Sequence, residues 1–281
     1  MRTPFFVFVL VSMGLAGCGT SGATTGNHAV EHQQDASLAP AARLDPYTAG
    51  KLNAILQERP NYRLLGTGQQ IGLISEAFLG TPYVANKLQG SLNTPEQLVV
   101  DFRGLDCFTY LDYVEALRQS TALSDFLKNL LRTRYVDSDI GFLNRKHFYT
   151  DWAYSGTYTP AEDITAQVSA HAVRSEKLLN QKADGSAYLP GLPVVPRTVT
   201  YIPAGFIDKT VIKRLHEGDF IGIYTPLAGL DVTHVGFFIM TDKGPVLRNA
   251  SSHSGSQKVV DSPFLAYVAN TPGIVVLRAK E

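Results

Sequence analysis

The feature that most limits what this chain can fold into is a change of hydrophobic period along its length. In the first half, apolar residues recur at helical spacing. In the last third they gather into short runs bounded by turn residues. Leu52, Ile55 and Leu56 predict a helix over Tyr47 to Glu58 that stops before Pro60. Ile71, Ile74, Ala77 and Phe78 predict a second from about Gly68 to Leu79, broken by Thr81-Pro82-Tyr83. A third, from Cys107 to Arg118, carries Leu111, Val114 and Leu117 on one face, and a fourth, from Ser124 to about Tyr135, buries Phe126, Leu127, Leu130 and Leu131. Strand-like runs are Leu98 to Val100, Phe220 to Tyr224, His234 to Met240, Val246 to Arg248 and Ile274 to Leu277. Helices first and an antiparallel sheet afterwards define an α+β layout. With no internal repeat, the expectation is one domain over 47–281 with an elaborated middle at about 140–200. Within that middle, Phe142 to Tyr158 shows no clear period, Asp163 to Lys182 is weakly helical, and Ala183 to Pro196 reads as a loop or insertion.

Composition excludes several classes. The 281 residues hold 25 Lys+Arg against 25 Asp+Glu, so no broad positive field exists for a phosphate backbone and nucleic acid is not an expected partner. At 44% hydrophobic residues the chain can bury a core, and a mean hydropathy of −0.02 excludes a multi-pass membrane protein. Two cysteines, Cys18 and Cys107, are too few for a disulfide-stapled fold.

The N-terminus has its own logic. Met1-Arg2 leads into an apolar run, Phe5 to Leu15, too short to span a bilayer of about 30 Å. The run ends in Leu15-Ala16-Gly17-Cys18, which resembles a bacterial lipobox. That resemblance implies a leader over 1–17 and a lipidated Cys18, followed by a flexible Gly/Ser/Thr/Ala/Gln-rich tether to residue 46. Gly19 after the cysteine implies the periplasmic face of a Gram-negative outer membrane, with the membrane contacted through the lipid alone.

Cys107 stands at an expected helix N-terminus, where the positive end of the helix favours a thiolate. His234 follows at the head of an apolar strand, and Asn249 comes after it with a side-chain carbonyl able to hold an imidazole in one tautomer. Cys, His, Asn is the chain order of papain-type cysteine proteases, in which the thiol needs a base and the base an orienter. The local papain signature around the nucleophile is absent. Instead Leu79-Gly80-Thr81-Pro82-Tyr83, Asp106-Cys107, Gly218-Asp219, His234-Val235-Gly236 and Asn249-Ala250-Ser251-Ser252 resemble the NlpC-type, papain-like bacterial cell-wall cysteine hydrolases. Cys107-Phe108-Thr109-Tyr110 with Glu115, Glu96 to Val100, Arg145 to Trp152, Tyr201-Ile202-Pro203 and Leu230 to Gly236 narrow the resemblance to the N-acetylmuramoyl-L-alanine amidase-like branch.

The resemblance implies a helical half packed on an antiparallel sheet, and cleavage of the amide between the lactyl group of muramic or anhydro-muramic acid and L-alanine. The expected partners are peptidoglycan or soluble muropeptide fragments, acted on by a monomer without cofactor or metal. Cys107 matches the nucleophile, His234 the base and acid, and Asn249 the third polar residue. Tyr83 matches a tyrosine beside the nucleophile that could assist the oxyanion. Asp106 has two readings, a helix cap or a contact to a substrate amine. Thr109, His147, Asp151 and Trp152 join the expected substrate contacts, with the Arg145–Trp152 block read either as a wall of a sugar cleft or as core.

Other patterns carry less. His28 and His32 flank Glu31 at metal-pair spacing but lack a third ligand, and His147, His171, His216 and His253 show no ligand spacing. Gly66-Thr67-Gly68 with Gly72 misses the dinucleotide spacing. The competing functions are a stem-peptide endopeptidase cutting between D-glutamate and the diamino acid, a thiol acyltransferase, and a catalytically silent wall-binding lipoprotein.

Overall fold

Asp45 opens the first helix by accepting hydrogen bonds from the Tyr47 and Thr48 backbone N–H groups at 3.1 Å each, and Pro46 presets φ in the first turn. The computed structural model describes residues 44–62 and 64–281, so the expected leader, Cys18 and the tether before Leu44 lie outside the described residues. Four helices follow the predicted periodicity closely: α1 (Pro46–Glu58), α2 (Thr67–Glu76), α3 (Cys107–Arg118) and α4 (Leu123–Arg134). Helix α3 packs against both α2 and α4. Ten of its twelve residues are buried, so this segment is held from every side.

Between α2 and α3 a small hairpin forms from β1 (Gln89–Ser91) and β2 (Thr94–Gln97). It is pinned through Glu96, which pairs with Arg145 and accepts from Tyr135 Oη at 2.8 Å. Beyond α4 lie the one-turn helix α5 (Asp151–Tyr154), strand β3 (Ala161–Asp163), α6 (Thr165–Val168), β4 (Val173–Leu179) and β5 (Val195–Pro203). Helix α7 (Lys209–Arg214), β6 (Phe220–Tyr224), β7 (Val232–Thr241), β8 (Gly244–Ser251), β9 (Lys258–Pro263), α8 (Phe264–Val268) and β10 (Gly273–Ala279) complete the chain. The large sheet is antiparallel throughout, in the order β4-β5-β10-β6-β7-β8-β9, with β3 also paired to β10. The observed layout is α+β, as expected.

Both faces of the central strands are covered. Phe220, Val235, Phe237, Val275 and Leu277 join the core beneath α1 to α4, where Tyr110 meets Phe237 edge-on at 5.1 Å. Ile221, Ile223, Phe238, Ile274 and Val276 face the other way, onto α6, α7 and α8. Burial on two sides is why β6 and β10 read as unbroken apolar runs with no alternation.

Two expectations are corrected, and one edge strand lacks any sequence signal. Leu98 to Val100 is no strand but a connection tied by side chains, with Val99 O accepting from Arg134 Nη1 at 2.8 Å and Tyr113 Oη at 3.3 Å. The segment Asp163 to Lys182 is helical only over Thr165–Val168 and then becomes β4. The strand lies at the sheet edge, where burial still alternates through Ser175, Lys177 and Leu179 but only Leu179 of these is apolar, so no alternating apolar run marks it. Strand β9, the opposite edge, escaped notice for the same reason: only Val259 is buried along it.

Candidate active site

Cys107 is the first residue of α3, and Asp106 is its cap. Asp106 Oδ1 accepts from the Phe108 and Thr109 N–H groups at 3.1 and 2.8 Å, while Thr109 Oγ1 accepts from Asp106 N at 3.0 Å. Of the two readings of Asp106, this reciprocal box realises the cap. It also consumes Thr109, which is buried and away from the cavity, contrary to the expected substrate contact. Burial pushes the Cys107 thiol up to about 12, and the Asp106 charge adds to the rise. The backbone N–H groups of Val235, Cys107 and Phe108 act in the opposite sense by favouring the thiolate.

His234 lies near the start of β7, where the register against β6 slips by one residue between the pairs Ile223–His234 and Tyr224–Val232. A slip of this kind re-aims the side chains beside it. On the next strand Asn249 is fully buried. Its Nδ2 donates to Leu247 O at 3.0 Å, which turns Oδ1 toward the imidazole, 2.9 Å from His234 Nε2. An amide oxygen only accepts, so Nε2 carries the ring proton and Nδ1 is left as the basic nitrogen. Gly236 makes this approach possible. A Cβ there would stand 2.8 Å from Arg248 O and 3.0 Å from Asn249 Cβ.

Burial lowers the His234 pKa below its ordinary value, and the nearby His253 lowers it further, while the Asn249 contact holds it partly up. At neutral pH the pair therefore rests as neutral thiol and neutral imidazole.

Cys107 and His234 line one cavity of about 270 Å³ together with Phe108, His147, Phe148, Tyr188, Leu230 and Asp231. His147 is thus at the cavity as expected, its Nε2 donating to Phe142 O at 2.7 Å. Tyr83 is half-buried beside the nucleophile, paired through its backbone with Leu105, and its hydroxyl pKa is raised by burial and by the Cys107 and Asp106 charges. Two further expectations fail. Trp152 is fully buried, edge-on to Phe220 at 5.1 Å, and belongs to the core. Asp151 is consumed by Arg197 Nη2 at 2.9 Å, Ser155 Oγ at 2.9 Å and Phe148 N at 3.0 Å, so it shapes the wall without facing the cavity.

Sequence reasoning passed over Asp231 and Tyr188. Asp231 is buried, with Thr150 N, Thr150 Oγ1 and Val232 N donating to it at 2.8, 2.9 and 2.8 Å, and it locks the 147–150 wall to the head of β7. Tyr188 comes from the insertion, which Asn180 clasps by donating to Leu189 O at 3.1 Å and Leu192 O at 2.8 Å and accepting from Leu189 N at 2.8 Å. Asp231 stood within a quoted motif three residues before His234. Nothing local marks Tyr188, because its place depends on partners such as Gly229, 41 positions away, where a Cβ would meet its ring at 2.9 Å. Among the described residues, no group of three or more His, Cys, Asp or Glu side chains is placed to hold a metal ion.

Fold and site together define an α+β protein in which a thiol at a helix start and an amide-oriented imidazole on an antiparallel sheet share one cavity. The model of the N-acetylmuramoyl-L-alanine amidase-like (AmiA-like) family matches residues 73–274, and the chain belongs to that family. Among solved structures, an N-acetylmuramoyl-L-alanine amidase from Bacteroides uniformis is 28% identical, with a TM-score of 0.66, 76% of this chain and 99% of that one being covered. A Legionella pneumophila protein of the DUF1460 family shares the fold at 22% identity and a TM-score of 0.67, covering 82% of this chain and 94% of its own. The comparison with curated protein sequences returns no match. Family and neighbours support a hydrolase of the cell-wall amidase type.

Proposed function

We propose that the protein is a cysteine-dependent amidase of NlpC type that hydrolyses the bond between the lactyl group of muramic or anhydro-muramic acid and L-alanine in peptidoglycan fragments. The observation that carries this reading is the His234–Asn249 hydrogen bond of 2.9 Å beside the cavity that also holds Cys107. His234 Nδ1 takes the proton from Cys107 Sγ, and the sulfur attacks the lactyl carbonyl. The C–N bond breaks as the imidazolium gives that proton to the departing amine, leaving a thioester. Water, deprotonated by His234, then releases the acid and restores the thiol. The Cys107 N–H at the start of α3 and the Tyr83 hydroxyl are the donors for the oxyanion. In the cell, lipidation of Cys18 would hold this catalytic domain, residues 47–281, at the periplasmic side of the outer membrane.

Incubation with a disaccharide-tetrapeptide muropeptide, with products read by mass spectrometry, tests the bond. Free disaccharide and intact tetrapeptide are expected. A disaccharide still bearing L-Ala-D-Glu would make the protein an endopeptidase instead, and transfer to an added amine in preference to water would make it an acyltransferase.

The neutral resting pair also fixes the pH dependence. Because the imidazole must be unprotonated and its pKa is lowered, kcat/KM rises with pH through an inflection below about 6.5 and stays level above it. Asn249→Ala removes the contact that raises the His234 pKa, so the inflection moves to still lower pH. A pH–rate profile with its acid limb above 6.5, or one unmoved by Asn249→Ala, overturns this assignment.

A further inference from the structure

A second cavity, of about 490 Å³, lies on another side of His234. It is bounded by Thr233 and His234 of β7, by Ser252 and His253 after β8, and by Tyr267, Asn270 and Thr271 at and after α8. His234 is common to both cavities, whereas Cys107 lines only the first. The Tyr267 ring neighbours both imidazoles, its centroid 6.2 Å from that of His234 and 6.4 Å from that of His253.

The chemistry assigns the two spaces to the two sides of the scissile bond. The nucleophile bonds the acyl carbon, so the acyl arm lies where Cys107 is. His234 delivers its proton to the amine nitrogen, so the amine arm extends on the side that His234 touches and Cys107 does not. Resting on the amidase reading, we propose that the second cavity is the subsite for the amine side of the bond and takes a short acidic peptide, with Tyr267 as its floor and His253 and Asn270 as specificity-determining contacts. Its lining fits that ligand. Thr233, Ser252, Asn270 and Thr271 offer hydroxyl and amide groups for peptide N–H and C=O groups. No Asp or Glu lines it, so nothing there repels the ligand's carboxylates, and His253 is the added group able to donate to one.

Two substrates separate the possibilities: a muramoyl compound carrying the full tetrapeptide stem, and one ending at L-alanine amide. His253 and Asn270 are exposed, so His253→Ala and Asn270→Ala keep the fold, and thermal unfolding checks that they do. Each variant is expected to lower kcat/KM about tenfold for the tetrapeptide substrate, mainly through KM, and less than twofold for the L-alanine amide. An equal fall on both substrates, no fall on either, or a parent enzyme indifferent to stem length overturns the assignment. If no substrate shows turnover that depends on Cys107, it is the amidase reading itself that fails.

Discussion

Cys107→Ala is expected to lose at least about 10⁴-fold in kcat/KM against the muropeptide while its unfolding temperature stays near that of the parent. The size follows from the chemistry. Without the sulfur no thioester forms, and what remains is the contribution of binding and oxyanion donors to attack by water. The preserved stability follows from position. Cys107 begins α3, but the helix start is made by Asp106 and Thr109, whose reciprocal bonds at 2.8 and 3.0 Å do not involve the thiol. His234→Ala falls to a similar level, and the double variant is no worse than either alone, because nucleophile and base act as one unit. Asn249→Ala is milder, about 10²-fold, since the base survives and only its tautomer and placement are loosened. Measured turnover of the metal-free protein decides the matter. If Cys107→Ala keeps a tenth of the parent rate, the nucleophile lies elsewhere; if the parent itself shows no turnover, a wall-binding role returns to the foreground.

Alkylation of the same thiol by small reagents is expected to be slow in the resting enzyme. A thiol pushed up to about 12 by burial is a poor nucleophile toward small reagents in the resting enzyme, so its activation belongs to the complex with substrate, where His234 accepts the proton as the carbon–sulfur bond forms.

What the sequence disclosed and what it withheld divide along a physical line. Helices α1 to α4 and strands β6, β7, β8 and β10 were legible because their apolar residues face a common core, which imprints a period on the residues themselves. Edge strands β4 and β9 carry little of that imprint, having one and two buried positions on β9 and β4 in turn. The pairing of Cys107, His234 and Asn249 was legible from residue type and order. Its geometry was not, because the register slip ahead of His234 and the close approach of Asn249 over Gly236 arise only when β6, β7 and β8 lie side by side. Trp152 and Asp151 mark the reverse error. An aromatic and a carboxylate beside a candidate wall read equally well as ligand contacts or as core, and only burial against Phe220 and the ion pair with Arg197 separates the two.

Arg134→Ala is expected to destabilise the protein by about 3–5 kcal/mol, the largest stability loss among the substitutions considered, with a fall in Tm of the order of 10 °C. Arg134 Nε donates to Asp112 Oδ2 at 2.7 Å and Nη1 to Val99 O at 2.8 Å, with the two side chains 1% and 4% exposed. Asp112 lies on α3, five residues after the nucleophile, and Val99 lies in the connection that leads into that helix. The guanidinium therefore ties α4 to both approaches to Cys107, and its loss strands a carboxylate in the core with its paired and hydrogen-bonded cation gone and only the charge of buried Lys146 left to offset its desolvation. The sign with pH follows. Burial already holds the Asp112 pKa above its ordinary value in the parent, and losing Arg134 raises it further, so the added penalty is greatest near pH 7 and shrinks as the pH falls and the carboxyl is protonated. A double replacement, Asp112→Leu with Arg134→Met, removes both charges and recovers most of the loss, since a buried pair is costly to break yet contributes little beyond packing when replaced whole. Urea unfolding of the single and double variants at pH 5 and pH 7 reads all of this. Equal loss in single and double variants, or a penalty independent of pH, would mean that Arg134 acts through its hydrogen bond to Val99 and not through Asp112.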